Sequence, residues 1–400
     1  MVSDEVLDFP FAPGPLSSVP VQYAERRRRC PMGTVRLRSG HEAVLLVRHA
    51  DAVAALADTR LSHDLTAAGA PRLGAGGSYR DDPEIILNLD GDKHRRFRRI
   101  MAAAFTPRNV ERWRPRIRAV AEELVHDIEQ AGPPADLAEA YCAVLPVRVI
   151  CALLGLPVDD IPRFQVWSDA FALATPMTAW ERAQRMKEFE VYIGRLIAHR
   201  RAEPGHDLID DLVAARDGAD RLTESELPYL VMALIVGGTH TTSNVLGRSM
   251  LEMLRDNAVL WQRIVCDSTL IAPAVDELLR FNVLGDLLQL RVAVDDVELP
   301  SGTVRNGEAV VVAVRSAMTD ESVYEDPLTV RFDRAIREPL YFGGGPHFCI
   351  GSHLAKAELQ VGIQVLAQRL PGLSLAVGLD ELRFTEGEEL SSLVSLPVRW

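Results

Sequence analysis

The ten residues from Phe342 to Gly351 read FGGGPHFCIG, and a helical pattern of apolar residues begins directly after them. Glycine has no side chain and accepts positive φ angles, so consecutive glycines let backbone amides approach the Cys349 sulfur closely. The following helix places the positive end of its dipole near the same sulfur. Both effects favour the thiolate, which is the form of cysteine that binds metals. We therefore predict a loop that presents Cys349 as a ligand.

Other interpretations of this loop have to be weighed. A single cysteine is most often a small buried hydrophobic residue. A phosphate-binding loop would continue with Gly-Lys-Ser/Thr, which does not follow here. A zinc site can draw on His347, Cys349 and His353, but no Cys-x-x-Cys pair supplies the remaining ligand. A lone thiolate instead suits one axial position of a haem iron, where it favours cleavage of dioxygen.

Composition and charge narrow the class of protein. Of 400 residues, 48% are hydrophobic and 25% are charged, which is typical of a soluble globular chain. The formal net charge is −12 at pH 7, so nucleic-acid binding is not expected. Arg26 to Arg29 form a short basic run, which we interpret as the solvated end of a helix.

Cysteine usage and hydropathy predict the compartment. The five cysteines are scattered along the chain and do not resemble a disulfide framework, which favours a reducing cytoplasm. The N-terminal segment MVSDEVLDFPFAPGP lacks the positive and apolar regions of a secretion signal. The apolar stretch from Leu230 to Val236 ends at two glycines and is much shorter than the roughly 18 residues that span a bilayer. We expect a cytoplasmic protein that does not bind membranes.

Hydrophobic periodicity predicts a chain that is mainly α with a minor β portion. Short β-branched runs at 34–38 and 43–47, separated by Ser39-Gly40, predict a hairpin. Helical spacing appears in the segments 110–130, 145–154, 180–201, 224–255 and 352–369, and a second β-rich patch covers 292–314. Proline and glycine are spread in small clusters without a change of composition inside the chain, so we expect a single domain over residues 1–400.

The cysteine loop also carries a family signature. FGGGPHFCIG matches the pattern Phe-Gly-x-Gly-x-His-x-Cys-x-Gly at every fixed position, so the chain resembles the cytochrome P-450 superfamily. The resemblance implies the P-450 fold, with haem b (iron protoporphyrin IX) between an oxygen-binding helix and the cysteine loop. It implies that Cys349 is the axial ligand of the haem iron, that Phe342 packs near the sulfur and that His347 reaches a haem propionate. Gly343 and Gly351 are fixed glycines of the same motif.

Further propionate ligands follow from the same resemblance. His94 and Arg98 stand four residues apart at a predicted helix start, so they share a face whose cationic donors suit carboxylates. This segment resembles the family helix that binds the propionates, and Arg291 matches the family's other propionate arginine. Without the cysteine loop, a solvated basic helix face would be the simpler interpretation.

A second pattern concerns structural residues. Glu277 and Arg280 stand three residues apart and can pair on one helical face, although such pairs are common on solvated helices. In the resembled family a Glu-x-x-Arg pair is buried and joined by a further group, and Val330-Arg331-Phe332 resembles the stretch that supplies it. The resemblance therefore implies a triad of Glu277, Arg280 and Arg331.

The predicted helix 224–255 contains Gly237 and Gly238 in its interior, where each glycine costs about 1 kcal/mol relative to alanine. A helix that accepts this cost needs room beside its backbone. The run Gly-Gly-Thr-His-Thr-Thr resembles the family's oxygen-binding helix, which makes Thr241 the hydroxyl that helps to deliver protons to dioxygen. His240 departs from the family, which usually carries an acid there. Three roles stay open for this imidazole: a proton relay, a contact to substrate or water, and packing alone.

The resemblance also indicates where substrate binds. The pocket would be lined by segments 66–89, 163–186, 233–241, 284–290 and 389–396, with Trp167, Phe171 and Trp180 as aromatic surface and Arg72, Arg80, Asp286 and Gln289 as polar groups. The expected substrate is a medium-sized natural product that is hydroxylated or epoxidised in secondary-metabolite or antibiotic biosynthesis. Oxidative C–C or C–N coupling is the alternative outcome, and it gains weight from His240.

Electrons for this chemistry must come from outside, because the chain shows no flavin, nicotinamide or iron–sulfur fingerprint. We expect a ferredoxin with its ferredoxin reductase. The docking face would be basic and would comprise Arg95, Arg96, Arg99, Arg112, Arg114 and Lys356. Two other classes of function stay open, namely a non-catalytic haem gas sensor and a zinc-stabilised DNA-binding protein.

Overall fold

The computed structural model describes residues 6–66, 70–72, 83–171, 177–205, 207–217, 222–223, 225–385 and 391–400. Parts of the expected pocket segments, among them Arg80, lie outside the described residues. The chain divides into two compact units, one formed by Met1–Arg95 with Leu279–Cys349 and the other by Arg96–Leu278 with Ile350–Trp400. The single domain over residues 1–400 stays a prediction.

Helices form most of the regular structure, which confirms the prediction of a mainly α chain with a minor β portion. The helices are α1 (Val21–Arg29), α2 (His49–Ala57), α3 (Gly91–Ala102), α4 (Pro107–Ala131), α5 (Val144–Leu154), α6 (Ile161–Phe171), α7 (Ala179–Ala202), α8 (Leu208–Asp217), α9 (Glu226–Leu254), α10 (Val259–Cys266), α11 (Ile271–Phe281), α12 (Val314–Ala317) and α13 (Ser352–Arg369). The strands are β1 (Leu7–Phe9), β2 (Thr34–Leu37), β3 (Glu42–Leu46), β4 (Leu61–Ser62), β5 (Ala135–Asp136), β6 (Leu290–Ala293), β7 (Val297–Leu299), β8 (Gly302–Val304), β9 (Ala309–Val312), β10 (Ser374–Leu375) and β11 (Pro397–Arg399).

The first unit is built on a sheet of strand order β1-β2-β3-β9-β6-β4. Its two faces are both buried, because alternate side chains enter two different apolar clusters. Leu46 and Val310 belong to one cluster, whereas Leu45 and Val311 belong to the other. Strand β9, which reads AVVV, is accordingly buried at every position. This sheet supports α2 and the segments that lead into the cysteine loop.

The second unit is helical, with α9 packed against α5, α6 and α7, and α13 packed against α4. A small sheet of order β10-β11-β5 completes it. The apolar stretch from Leu230 to Val236 belongs to α9, and most of its side chains are buried by these neighbours. No single helix among the described residues is long and apolar enough to cross a membrane. One pair of short helices, Asp256–Cys266 and Ser268–Phe281, passes the same test together, with a bend of 103° between them.

Most sequence-predicted elements are confirmed. Strands β2 and β3 form the expected antiparallel hairpin, with Val35 opposite Ala43. Helix α13 has the predicted bounds, and strands β6 to β9 account for the second β-rich patch. Helix α9 begins at Glu226, where a reciprocal cap stops it from extending further toward the N-terminus. The Thr223 hydroxyl accepts from the Glu226 N–H at 3.2 Å, and the Glu226 carboxylate accepts from the Thr223 N–H at 2.8 Å.

The interpretation of Arg26 to Arg29 as a solvated helix end is wrong for half of the run. Arg26 and Arg27 are only 9% and 6% exposed. Arg27 donates from Nε to Glu321 at 2.9 Å and from Nη1 to the Ser316 hydroxyl at 2.8 Å. The partners stand almost 300 positions away in the sequence, so the short basic run by itself gave no sign that α1 turns two of its arginines inward.

Candidate functional site

The cysteine loop closes on itself in the first unit. Gly343 and Gly345 have φ angles of 71° and 61°, which residues with side chains rarely adopt. The Cys349 backbone N–H donates to the Phe342 carbonyl at 2.9 Å. A Cβ at Gly345 would lie 2.3 Å from the Leu56 carbonyl oxygen, so the loop also needs glycine to pack on α2. Cys349 itself is exposed, which leaves its sulfur available to a ligand.

Three histidines of the first unit stack beside one carboxylate. The His347 ring stacks on the rings of His63 and His94, with centroid distances of 3.9 and 4.0 Å. Its Nε2 lies 2.9 Å from Asp90 Oδ1. His63 and His94 are each 4% exposed. The stack therefore concentrates imidazole nitrogens in a nearly buried environment next to the cysteine loop.

Asp90 is ionised in this cluster. Burial by itself raises the pKa of its carboxyl, but hydrogen bonds from His347, from the Ser62 hydroxyl at 2.6 Å and from the His63 N–H at 2.9 Å more than offset that effect. The resulting pKa is about 2. The carboxylate therefore accepts from Nε2 of His347 and sets the orientation of that ring.

Arg291 extends this set of cations. It lies on β6, is 2% exposed, and donates from Nη1 to the Ala55 carbonyl at 2.9 Å. Its Nη2 lies 3.3 Å from Gln289 Oε1. The amide nitrogen of Gln289 would in turn be 3.6 Å from a Cβ at Gly343. The guanidinium is thus anchored between the C-terminal end of α2 and the segment that faces the cysteine loop.

Two predicted residues lie at the start of helices. Arg98 follows His94 by one turn of α3 and is partly buried in the second unit. Gly351 is the residue directly before α13, so the helix begins three positions after Cys349. This places a helix start close behind the cysteine in the sequence, as the motif requires.

The expected structural residues have different surroundings. Glu277 and Arg280 lie on α11 and are both fully buried. Arg280 donates from Nη1 to the Met318 carbonyl at 2.8 Å and to the Pro327 carbonyl at 2.9 Å. Arg331 is 39% exposed and pairs with Asp333 at 3.2 Å. The triad of these three residues stays a prediction.

In α9 the two glycines differ in their surroundings. A Cβ at Gly238 would lie 3.0 Å from Ile150 Cγ1, so this glycine permits close packing on α5. A Cβ at Gly237 would meet no heavy atom of the described residues within 4 Å. The Thr241 hydroxyl donates to the Gly237 carbonyl at 2.6 Å. The expected room beside the helix therefore lies at Gly237, next to the Thr241 hydroxyl.

His240 faces a carboxylate from a neighbouring helix. Its Nε2 lies 3.0 Å from Asp169 Oδ1 on α6, and the two side chains are 20% and 31% exposed. The ring nitrogen does not meet hydrogen-bond geometry, so the contact is close in distance but poorly aligned. An acid is therefore present near this position, although it is carried by α6 and not by α9.

Some residues named for the pocket have other roles. Asp286 accepts from the Tyr23 hydroxyl and from the Arg315 N–H, so it fixes the segment from inside the fold. Trp167 is buried and stacks on Phe189 at 5.1 Å, whereas Trp180 is 71% exposed. The positions of these side chains depend on packing between distant elements. A comparison of single segments with the family does not contain that information.

Three functional residues were missed in the sequence, namely His63, Asp90 and Asp169. The His63 and Asp90 side chains approach the cysteine loop from segments without a motif. Asp169 stands 71 positions before His240 in the sequence, and no spacing rule connects them. Within the described residues, no group of three or more His, Cys, Asp and Glu side chains is arranged to hold a metal ion, which leaves the zinc alternative without support.

The donors of the first unit fit a haem. A haem requires one axial ligand for iron and cationic or N–H donors for two propionates. The first unit offers the exposed Cys349 together with His94, His347 and Arg291, all nearly buried and close to the cysteine loop in sequence or contact. This donor set contains one sulfur ligand and several side chains that can donate N–H bonds, which are the two kinds of group that haem needs.

Known proteins share this architecture along the whole chain. The family profile described as Cytochrome P450 matches residues 16–151, 160–261 and 269–371. Nocardicin C N-oxygenase of Nocardia uniformis subsp. tsuyamanensis is 38% identical, and mycinamicin IV hydroxylase/epoxidase of Micromonospora griseorubida is 37% identical, each over 100% of both chains. The solved structure of SgvP, described as a putative thioether synthase in the tailoring step of griseoviridin, superposes with a TM-score of 0.93 at 32% identity. It covers 99% of this chain and 100% of its own. The chain therefore belongs to the cytochrome P450 family, and its cofactor is haem.

Proposed function

We propose that this chain is a haem-thiolate monooxygenase that hydroxylates or epoxidises a natural product in secondary-metabolite biosynthesis. The observation that carries the proposal is the closed loop that presents the exposed Cys349 next to the His347–Asp90 pair. Relatives that act in the same class of chemistry support it, since one is a nocardicin C N-oxygenase and another a mycinamicin IV hydroxylase/epoxidase. The substrate is a small molecule, and dioxygen is the second substrate.

Bound haem supplies the cleavage of dioxygen: with two electrons and two protons, one oxygen atom enters the substrate and the other leaves as water. Cys349 holds the iron through its thiolate, which donates electron density to it. Phe342 packs beside the sulfur, and Gly343 and Gly351 keep the loop free of side chains around it. The closed backbone of the loop fixes the position of Cys349, which stays exposed toward the ligand side.

The propionates are bound by His94, Arg98, Arg291 and His347, in keeping with their cationic or N–H donors. We add His63 to this set. Its ring stacks on His347 at 3.9 Å and is 4% exposed, so it contributes a further imidazole to the same cluster. Stacking also restrains the rotation of all three rings, which orients their nitrogens before a ligand binds.

Residues of α9 serve the oxygen side of the reaction. The Thr241 hydroxyl donates to the Gly237 carbonyl and can release that bond to pass a proton onward. Gly237 leaves open space for dioxygen and substrate, while Gly238 keeps the helix close to α5. Glu277, Arg280 and Arg331 have a structural role in this proposal, because a buried ion pair is strongly destabilised when one partner is removed.

We further propose an acidic ferredoxin, reduced by its ferredoxin reductase, as the electron donor. Several of the basic side chains assigned to its docking face are already paired: Arg96 with Glu226, Arg114 with Glu111 and Lys356 with Asp276. Arg112 is exposed and forms no ion pair within the described part of the chain, so it is the best single probe of this docking. The cytoplasm is the proposed compartment, because the five scattered cysteines do not resemble a disulfide framework.

The proposal is tested first by the absorption spectrum of the reduced protein with carbon monoxide. We expect a strongly red-shifted Soret band in the wild type, because a thiolate ligand donates charge to the iron. Cys349→Ser removes the thiolate and should abolish that band. Cys266→Ser is the matched control, since Cys266 is also exposed and lies on α10. A band that survives in Cys349→Ser would overturn the assignment of the ligand.

A second candidate function is oxidative coupling, in which a C–H bond and a second C–H or N–H bond of the substrate break and a new C–C or C–N bond forms. The two hydrogen atoms removed, together with two electrons from the donor and two protons, would reduce dioxygen to two waters, so the product gains no oxygen. The contact between His240 and Asp169 favours it, because the pair replaces the acid that the family usually carries on this helix. Slower proton delivery would favour hydrogen abstraction and radical coupling over oxygen insertion. SgvP, described as a putative thioether synthase, shows that bond formation is a function ascribed to a similar chain.

The two outcomes are separated by labelled dioxygen, with nocardicin C and mycinamicin IV as the first substrate probes. Insertion places the label in the product, whereas coupling leaves the product unlabelled. His240→Asp restores an acid on α9 and should raise labelled product and lower peroxide release if proton delivery is limiting. Unchanged products and unchanged peroxide release in His240→Asp and Asp169→Asn would remove the support for coupling.

A further inference from the structure

The C-terminal part of the second unit contains a hairpin whose strands are residues 383–385 and 391–394. The Thr385 N–H donates to the Ser392 carbonyl at 2.8 Å, and the Val394 N–H donates to the Arg383 carbonyl at 2.9 Å. The Ser392 N–H donates to the Thr385 hydroxyl at 2.9 Å. These bonds define the hairpin internally. They do not determine where it lies along α9.

Asn244 of α9 binds the second strand of this hairpin. Its side-chain Nδ2 donates to the Ser391 carbonyl at 3.0 Å and to the Ser392 hydroxyl at 2.8 Å. Asn244 is 5% exposed, so these bonds are made away from water, where loss of a partner is costly. The side-chain amide of Asn244 therefore binds two consecutive residues of the hairpin.

Arg248, one turn further along α9, connects both strands. Its Nε donates to Asn244 Oδ1 at 2.8 Å and lies 3.2 Å from the Ser391 carbonyl, to which Nη2 also donates. Its guanidinium stands over the Phe384 ring on the first strand, 5.0 Å from the centroid. Arg248 therefore orients the Asn244 amide and binds one residue on each side of the hairpin.

These two residues continue the face of α9 that carries the reactive groups. Residues 240, 244 and 248 are spaced by four, so His240, Asn244 and Arg248 follow one another along the same helix face. We propose that Asn244 and Arg248 are positioning residues that hold the 391–394 strand at a set distance from His240 and Thr241, and so decide how large a substrate is accepted. The inference rests on the proposed function, in which segment 389–396 lines the substrate pocket.

The physical basis is preorganisation. A pocket-lining segment that is already ordered loses no conformational entropy when a ligand packs against it. A mobile segment must become ordered when the ligand binds, and that loss of entropy weakens binding. Releasing the hairpin therefore weakens large ligands that reach it and leaves small ligands unaffected. Arg248→Lys keeps the charge but loses the planar fork and its stacking on Phe384, so it should give an intermediate effect.

The proposal can be tested on the haem-loaded enzyme by spectral titration with two azoles of different size. Imidazole binds the iron and reaches little beyond it, whereas 4-phenylimidazole extends into the pocket. We expect Arg248→Ala and Asn244→Ala to weaken 4-phenylimidazole about fivefold relative to imidazole, with Arg248→Lys between them and the wild type. Arg255→Ala is the control, because Arg255 follows the end of α9 and pairs with Glu252 and Asp256.

Hydrogen exchange provides the second measurement. The amides of residues 385, 392 and 394 should exchange about tenfold faster in Arg248→Ala and by a smaller factor in Arg248→Lys, while the amides of α9 stay protected. Equal changes for both azoles, or a uniform rise in exchange along the unit, would overturn the proposal and indicate a general loss of stability. If the wild type shows no red-shifted carbon monoxide band and no azole response, the proposed function fails instead.

Discussion

His347 shares its ring faces with two other histidines and its Nε2 with Asp90. The carboxylate is the least obvious member of this group, because it bears no ligand role in the motif. Its ionisation orients the one histidine that the motif does contain. The site at the residue scale is therefore a cluster in which a carboxylate missed in the sequence orients the histidine that is predicted to reach a haem propionate.

The depressed pKa of Asp90 makes a pH-dependent prediction. Its folded pKa of about 2 lies below the usual unfolded value of about 3.9, so its contribution to stability is present above about pH 4 and is lost as the pH falls toward 2. Wild type should exceed Asp90→Asn in unfolding free energy by on the order of 1 kcal/mol at pH 5, after allowance for partial exposure. Chemical denaturation from pH 5 to 2 should show the difference shrinking, and a constant difference would contradict it.

Glu358 predicts a pH dependence of stability that is opposite in sign to that of Asp90. It lies on α13, is 2% exposed, and its Oε2 has no hydrogen-bond partner among the described residues. Burial raises the pKa of this carboxyl well above its usual range, so the folded state keeps its proton to a higher pH than the unfolded chain does. Below about pH 4.3 this difference in pKa does not affect the free energy of unfolding. Above that pH it lowers the free energy of unfolding by up to about 1.4 kcal/mol per pH unit, until the folded pKa is reached.

We therefore expect Glu358→Gln to be more stable than wild type at pH 7 and equal to it near pH 4.5. Thermal unfolding across this range measures the difference. Glu181→Gln is a suitable control, because that carboxylate is exposed at the start of α7 and its pKa is lowered, chiefly by a hydrogen bond with the Thr178 side chain. Parallel pH profiles for Glu358→Gln and wild type would show that the carboxyl is not held neutral.

At the scale of elements, two adjacent glycines of α9 have different surroundings: Gly238 packs closely on α5, whereas the side of the helix at Gly237 is open. Alanine at Gly238 meets Ile150, whereas alanine at Gly237 meets no described atom. Helix propensity favours alanine at both positions by about 1 kcal/mol. The packing partner alone therefore decides the sign of the two substitutions.

Gly237→Ala should raise the unfolding free energy by up to about 1 kcal/mol, and Gly238→Ala should lower it by about 1 kcal/mol. The comparison is internally matched, because both changes add one methyl group to the same helix turn. Adding Ile150→Val to Gly238→Ala removes one of the crowded atoms and should recover part of the loss in a double-mutant cycle. Equal effects of the two alanines would contradict the packing argument.

Helix α9 also shows why the acid beside His240 could not be found from the sequence. The family pattern assigns it to position 240, and here that position carries an imidazole whose partner comes from α6. Helical spacing predicts which residues share a face of one helix. It contains no information on which face of another helix packs there, because that depends on the angle and distance between helices.

At the scale of the whole molecule, charge distribution matters more than net charge. The chain carries −12 overall, which repels an acidic ferredoxin at long range, whereas a local group of arginines attracts it within a Debye length. The docking proposed above therefore depends on a few exposed cations. The rate of electron transfer should fall as salt rises, because screening acts on these exposed charges first.

Arg112→Glu should slow reduction by a ferredoxin about threefold to tenfold at low ionic strength, with the difference shrinking as salt increases. Stopped-flow reduction under carbon monoxide measures this rate. Arg185→Glu is the control, since Arg185 lies on α7 and pairs with Glu188 there. A rate independent of salt, or equal losses in both variants, would exclude this docking face.

The amino-acid sequence by itself determined most of the elements and predicted Cys349 as the ligand. Helix α13, the β2–β3 hairpin and the cysteine loop depend on local periodicity, turn residues and positive φ angles, all of which act within a few positions. Only the tertiary structure decided the contacts between segments that no spacing rule connects: Asp90 with His347, Asp169 with His240, and Asn244 with the C-terminal hairpin. These pairs stand between 71 and 257 positions apart, and their meeting depends on how buried faces pack, which is a property of the folded chain as a whole.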